Sequence, residues 1–349
     1  GAIEIDENVG NSYRNIPDDI YKSNKDIFGT GMALANPLGY PNGKAILKPF
    51  PVLELGWAIG GSVHKYERIK GFDIDDDPAS MGFGANMGFH IGTGLTDRLD
   101  VTIKFFFMNV GWFYKIPTTY SFSGNKFKTK MNDVFTYSFG LKARYNIVKK
   151  IKILKYVFDF GGVTAGLGLD YMNNKFNMKI KYDNDDDLLF TIRDPGDVLP
   201  PYTSEDQNLS IHSTGTGAVV MNGNIISVTP EIFAYADIFH VLSFYTGPSV
   251  SFNAGFVEFK TNATGVMTNN EQVYYDPLGA AVPIVGPGNK VADAVMESRY
   301  KFYPQWAIPR WVLGLQINIM TFKIHLEAAV DLSSITDSFT AQFGFSGEI

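Results

Sequence analysis

Five histidines and no cysteine bound the side-chain chemistry of this 349-residue chain. Without cysteine there is no disulfide framework, thiolate metal site, thiol nucleophile or lipidated N-terminal cysteine. His325 shares one side of an alternating pattern with Lys323 and Glu327. An imidazole with a carboxylate two residues on is half of a general acid–base dyad. No Gly-x-Ser-x-Gly or comparable nucleophile signature accompanies it, so a hydrolase is the least favoured expectation and no enzymatic activity is expected. Two acidic runs, Asp73, Asp75, Asp77 and Asp183, Asp185, Asp187, have the Asp-x-Asp-x-Asp spacing of calcium loops. The glycine that follows in an EF-hand is replaced by Pro78 and Leu188, so both runs read as solvated loop charge. Neither a metal nor another cofactor is expected.

The elements that must carry these residues are strands. Only 19 % of the residues are charged, against about 25 % in an ordinary soluble protein. With 35 glycines, 28 phenylalanines and 18 tyrosines, that composition leaves apolar surface to be covered. No apolar run approaches the ~20 residues of a spanning helix. The net charge of −6 argues against a nucleic-acid partner.

Apolar residues recur instead with period two, the strand signature. Met81, Phe83, Ala85, Met87, Phe89 and Ile91 alternate with Gly82, Gly84, Asn86, Gly88, His90 and Gly92. The pattern repeats from Leu53, from Phe135, from Leu242 and from Phe322. These runs exceed the five or six residues of a soluble strand and suit a tilted membrane strand of about nine to eleven. Around Tyr156 to Tyr171 the phase changes at Gly161-Gly162, where a bulge would return Val163, Ala165, Leu167 and Leu169 to the lipid side. The expected fold is all-β: a transmembrane antiparallel up-and-down barrel of about ten strands, with eight, twelve or fourteen as alternatives.

The connections alternate in length, as in outer-membrane barrels with short periplasmic turns and long external loops. The long ones fall at about residues 65–79, 114–130, 176–223 and 261–302, which places both termini on the periplasmic side of the outer membrane. Residues 1–50 then form a leader and residues 51–349 the barrel. The leader is expected to carry a short helix from Pro17 to about Phe28, stopped by Gly29. Trp57, Trp112, Trp306 and Trp311, with Tyr145, Tyr156 and Tyr171, fall near strand ends, where amphipathic rings favour the headgroup level.

Inside such a barrel the inward positions divide. Gly56, Gly60, Gly84, Gly88 and Gly92 strip one wall of side chains, leaving room for the leader and its Asn36-Pro37 turn to enter as a plug. Elsewhere Lys142, Arg144, Glu231, His325 and Glu327 supply charges of both signs that can pair across the lumen.

At the C-terminus, Gln342, Gly344 and Ile349 resemble the signal by which outer-membrane proteins engage the barrel-assembly machinery, with Gly347 where a hydrophobe is usual. The glycine-rich leader ending in Asn36-Pro37 resembles that of the long-chain fatty-acid transporter family. That resemblance implies a barrel plugged by its N-terminal segment, although Leu38 stands where that family has alanine and its barrel has fourteen strands. The stretches Lys142 to Val148 and Phe160 to Thr164 resemble spirochaete outer-membrane barrels, which bring no assigned chemistry. The function expected is passive passage of a small solute, hydrophobic solutes included, occluded or gated by the leader. The alternative is a surface adhesin or structural barrel acting through its external loops. The expected partners are outer-membrane lipid, the assembly machinery and a small hydrophobic ligand, and the expected state is a monomer.

Overall fold

The structure is a computed structural model that describes residues 2–5, 25–40, 42–43, 50–65, 81–109, 117–122, 125–154, 157–193, 204–270, 273–275, 282–285, 288, 290–335 and 338–349. A helix, α1 (Lys25–Ala35), precedes β1 (Glu54–Lys65), β2 (Met81–Gly94), β3 (Leu99–Asn109), β4 (Asn125–Val148) and β5 (Phe158–Arg193). Then follow β6 (Ser204–Ile238), β7 (Leu242–Asn269), β8 (Ala307–Ile319), β9 (Phe322–Asp331) and β10 (Ser338–Glu348). Among the described residues these ten strands pair antiparallel in sequence order, and β10 returns to β1 with Phe343 opposite Ile59. The sheet is therefore a closed barrel.

Alternation sets its two faces. Phe89, Phe105, Phe139, Leu167 and Phe339 stand outward and about half exposed, while Asp100, Lys104, Asp170 and Glu231 on the opposite face are buried. An apolar exterior around a closed, polar-lined ring is the form in which strands cross a bilayer of the outer-membrane type. Gly161-Gly162 is indeed a bulge: the β5–β6 register shifts there, and Gly162 has φ of 107°. Trp306 and Trp311 are exposed on the outside, and Trp57 packs edge-on to Phe345, whereas Trp112 and Tyr156 lie outside the described residues.

Short turns gather at one end. Phe239, His240 and Val241 make a tight turn in which the Val241 N–H donates to the Ile238 carbonyl and Phe239 and His240 are both at positive φ, and Met320 adopts the same backbone region in the β8–β9 turn. At this rim Lys150 bridges Asp159 at 2.7 Å and Asp237 at 2.8 Å. Burial alone would lower the Lys150 pKa, but its hydrogen bonds to the two carboxylates outweigh that and hold it above the ordinary lysine value.

At the other end the structure departs from the expected loops. β5 and β6 run for 36 and 35 residues and β7 for 28, so most of 176–223 and part of 261–302 is paired strand. Lys290–Phe302 extends the ladder on β7, and Pro117–Phe122 pairs with β4 within 114–130. At about 3.3 Å per residue these strands far exceed the ~25 Å apolar band of a barrel. Beyond the bilayer neither face needs to be uniformly apolar, so pairing there leaves no greasy register. Residues 66–80 lie outside the described residues.

The leader departs as well. The helix runs from Lys25 through Gly29 to Ala35 rather than stopping at Gly29. Its glycines cost helix propensity, yet they allow the close packing that buries every residue from Gly29 to Tyr40. Ala2–Ile5 pairs with Phe190–Arg193 at the end of β5 remote from the short turns, while Ile349 pairs with Leu53 at the rim where the short turns lie. The expectation that both termini lie on one side of the barrel is thereby corrected.

The glycine wall explains how the leader fits. A Cβ on Gly84 would lie 2.1 Å from the Gly31 carbonyl oxygen and 2.8 Å from the Ala35 Cβ, and one on Gly88 would lie 2.3 Å from the Gly39 carbonyl oxygen. Replacing Gly84 with valine is therefore expected to leave the barrel ladder intact but expel the helix. Chymotrypsin should then cut at Leu34 or Leu38 in the folded variant and not in the parent; equal protection of both would show that the leader tolerates the clash.

Candidate functional site: the occluded lumen

The leader turns sharply after α1, with Gly39 at φ of 101°, a region glycine enters without strain. Asn36 sits at the turn with no exposed surface. Its Nδ2 donates to the Asp170 carbonyl at 3.2 Å, the Ile225 carbonyl at 3.3 Å and Ser227 Oγ at 2.8 Å. Its own carbonyl accepts from Asn86 Nδ2 and from Lys104 Nζ, both at 2.9 Å. One residue thus joins β2, β3, β5 and β6 through the lumen.

Lys104 completes the joint. Besides Asn36, its ammonium donates to the Leu38 carbonyl at 2.7 Å and pairs with Asp170 Oδ1 at 2.8 Å, so its three protons meet three acceptors. Tyr40 donates its hydroxyl to the same Asp170 oxygen at 2.8 Å, and its ring lies between two ammonium groups, 4.7 Å from Lys104 and 4.6 Å from Lys142. Cations on a ring face are attracted by its quadrupole, more strongly when water is excluded. Gln342 Nε2 donates to the Tyr40 carbonyl at 3.2 Å, and its Oε1 accepts from the Gly39 N–H at 3.2 Å.

Further along, Asn42 Nδ2 donates to Glu327 Oε1 at 3.0 Å, Tyr235 donates to the Asn42 carbonyl at 3.2 Å, and Lys142 donates to Asn42 Oδ1. Lys142 also pairs with Glu231 at 3.2 Å, and Arg144 grips both oxygens of Asp100 while donating to the Gly43 carbonyl. Tyr245 donates to Glu327 Oε2 at 2.9 Å. The gap left among Pro37, Asn42, Lys142, Glu231, Arg310 and Glu327 is about 10 Å³, room for no more than one water. At this gap the described residues of the polar centre leave room for about one water.

External to that closure lies a different environment. A cavity of about 570 Å³ abuts α1 at Met32 and is lined by Phe106, Met108, Val134, Met221 and Phe259 among other mostly apolar residues. Thioether and phenyl side chains make a deformable apolar surface.

The expected site residues fall into groups. Gly60, Gly84 and Gly88 meet the leader, with Leu38 Cδ1 2.9 Å from where a Gly60 Cβ would lie. Gly56 instead makes room for His90, whose Nε2 lies 2.6 Å from the position a Cβ would take. Gly92 lies nearer the periplasm, in register with Glu54 and Thr102. Lys142, Arg144, Glu231 and Glu327 join one network through Asn42 and Gly43, whereas His325 stands beside Ser346 at 3.2 Å. Glu327 is engaged by Asn42 and Tyr245, so His325 and Glu327 serve separate partners within the lumen. Asp183, Asp185 and Asp187 lie in the extended β5–β6 ladder, opposite Thr214, His212 and Ser210, which corrects their expected placement in a loop. Asp73, Asp75 and Asp77 lie outside the described residues. Gly344 packs against Ala58, and Ile349 pairs with Leu53.

Lys104, Asp170, Tyr40, Asn42, Asn86, Tyr235 and Tyr245 were not singled out from sequence. Alternation marks Lys104, between Ile103 and Phe105, and Asp170, between Leu169 and Tyr171, as inward residues. It carries no signal that the two meet.

The chain matches the family described as Lsa36-like over residues 64–346, most of its length. It belongs to the Lsa36-like family. No curated protein matches this Lsa36-like chain in sequence. Among solved structures it aligns with the translocator domain of autotransporter NalP from Neisseria meningitidis at 8 % identity and TM-score 0.29, covering 99 % of this chain and 98 % of that one. It aligns with the outer-membrane protease OmpT from Escherichia coli at 11 % identity and TM-score 0.34, covering 86 % and 95 %. With the toluene transporter TodX from P. putida the values are 8 % and 0.26, covering 93 % and 99 %.

In this Lsa36-like barrel, Lys104→Met would leave the Asp170 carboxylate buried without its cation. Breaking such a pair costs about 3–5 kcal/mol. Urea unfolding in micelles should show that loss for Lys104→Met, and a large part of it should return in the double variant Lys104→Met/Asp170→Leu. If the single variant unfolds at the parent's midpoint, the pair does not hold the lumen together.

Proposed function

We propose that the protein is a passive outer-membrane conduit for small apolar molecules, held shut at rest by its N-terminal segment. The carrying observation is the Met- and Phe-lined cavity of about 570 Å³ that ends on Met32 of α1, beside a polar centre with room for about one water. An apolar compartment of that size suits a small hydrophobic ligand, while the closed centre opposes free passage of water and ions. The resemblance of the leader, with Asn36-Pro37, to that of the long-chain fatty-acid transporters points the same way. The leader is the gate because Asn36, Tyr40 and Asn42 tie it to β5, β6 and β9.

The length of β5 and β6 favours a second role, surface adhesion through the external sheet. That role would survive substitution of the cavity and be lost on shortening the β5–β6 hairpin.

Proteoliposomes test the conduit. The intact protein is expected to give little conductance in planar bilayers, and deletion of residues 1–43 to raise it. An apolar fluorophore such as N-phenylnaphthylamine should bind the intact protein and lose at least about tenfold in affinity in Met221→Glu or Phe259→Glu, which place a charge in an apolar site. No conductance from either form together with no fluorophore binding would sink the transport reading.

A further inference from the structure

On the barrel exterior the apolar band ends along one line across neighbouring strands. β6 presents Ile232, Val228 and Ile226 outward, all exposed, and its next outward residues are Asn224 and Asn222. Opposite them β5 passes from Leu169 through Tyr171 to Asn173 and Lys175. The Tyr171 hydroxyl donates to Asn224 Oδ1 at 3.0 Å, and Asn173 Nδ2 donates to Asn222 Oδ1 at 3.4 Å. Phe256 of β7 stands opposite Asn224, and Tyr137 of β4 joins Asn173 to Phe107 of β3 on the same line. From Leu242, beside the short turn, to Phe252, β7 climbs roughly 25 Å at about 3.3 Å per residue and a tilt of about 40°, which is the height of the apolar band. The headgroup level therefore begins at Phe256.

One step beyond that line stands a cluster of cations. Glu258 lies opposite Asn222 on one side and Lys301 on the other, and Lys260 lies opposite Arg299. Glu258 accepts from Arg299 Nε at 2.6 Å and pairs with Lys260 at 3.1 Å and with Lys301 at 3.9 Å. Three cations on one carboxylate leave positive charge in excess. The Glu258 side chain is 6 % exposed, whereas those of the three cations are between 45 and 63 % exposed. The cations cover the carboxylate and remain open to the surroundings. Towards the membrane, Lys301 Nζ lies 4.8 Å from the centre of the Phe256 ring, and Trp306 packs on Phe252 at 5.9 Å. Trp306 and Tyr303 are both exposed. Open rings thus lie where acyl chains run, and open cations lie where phosphates stand.

We propose that Arg299, Lys260 and Lys301 bind the phosphate of an anionic lipid in the outer leaflet, with its acyl chain along Tyr303, Trp306 and Phe252. The leaflet follows from the short turns, which outer-membrane barrels keep on the periplasmic side. Arg299 spends Nε on Glu258, which leaves its two η nitrogens for a second oxyanion, and a planar guanidinium fork suits phosphate. A soluble anion or an acidic peptide would have no use for the rings beneath the cations, so the observations favour a lipid. The site lies on the exterior and holds whether or not the lumen carries a solute.

The chain has no cysteine, so one reporter can be placed at a chosen position. Tyr303→Cys, beside the cluster, and Phe107→Cys, exposed on the same line but on β3, would each carry bimane in phosphatidylcholine vesicles. A fixed small fraction of acyl-chain doxyl lipid is supplied either as phosphatidylglycerol or as phosphatidylcholine. Doxyl phosphatidylglycerol is expected to quench the Tyr303 reporter at least about twofold more strongly than doxyl phosphatidylcholine, because anionic lipid is drawn to clustered cations. The two lipids are expected to quench the Phe107 reporter alike. Raised salt should shrink the difference at Tyr303. Arg299→Gln and Lys301→Gln should each reduce it, and the double variant should abolish it in protein whose heat-modifiable gel mobility matches the parent. Equal quenching by the two lipids at Tyr303, or a preference that the folded double variant keeps, overturns the proposal. A preference that inorganic phosphate removes at matched ionic strength also overturns it, since the cluster would then be a site for a free anion.

Discussion

Backbone hydrogen bonds in hydrocarbon allow no substitute partner, and the rest of this molecule depends on that constraint. It forces the ten strands into a ring closed by β10 on β1. A ring of this size encloses an interior shielded from both lipid and bulk water, so whatever stands there must be paired by the protein itself. The leader performs that pairing. Its main-chain carbonyls at Asn36 and Leu38 act as acceptors for Lys104, which would otherwise meet only Asp170. The charged wall and the glycine wall are two halves of one arrangement: the glycines admit the leader's backbone, and the charges opposite use its polar groups.

The lumen consequently separates into layers of unlike solvent character. The lower layer is a dense polar lattice of Tyr40, Asn42, Lys142, Glu231 and Glu327. Above it Met32, Met172, Ile225, Val257 and Phe259 form an apolar cluster on α1. The polar lattice forms the floor of that apolar layer.

Much of this was legible in the residue order, and the limits have physical causes. Period-two alternation revealed the strands from Leu53, Met81, Phe135, Leu242 and Phe322, and even the bulge at Gly161-Gly162, because the bilayer imposes a uniform apolar register. The outer parts of β5 and β6 escaped notice because that imposition ends at the membrane surface. The helix position was misjudged because Gly29 and Gly31 were weighed by local propensity, whereas burial against Gly84 decided the outcome. The inward direction of Lys142, Arg144, Glu231 and Glu327 followed from parity. The leader residues they engage, Asn42 and Gly43, did not, because an irregular segment has no period to read and its contacts are made by main-chain atoms that every residue shares.

One topological fact bears on how such a molecule comes into being. Ala2–Ile5 lies at the external tip, α1 stands in the lumen, and the chain then reaches the opposite rim before the first barrel strand begins. The leader is threaded through its own ring, and the ring is sealed by its first and last strands. With Ser338–Glu348 laddered onto Glu54–Lys65, the leader can enter or leave the ring only lengthwise, and the bond of Asn36 to Ser227 is one of those that such a passage would break.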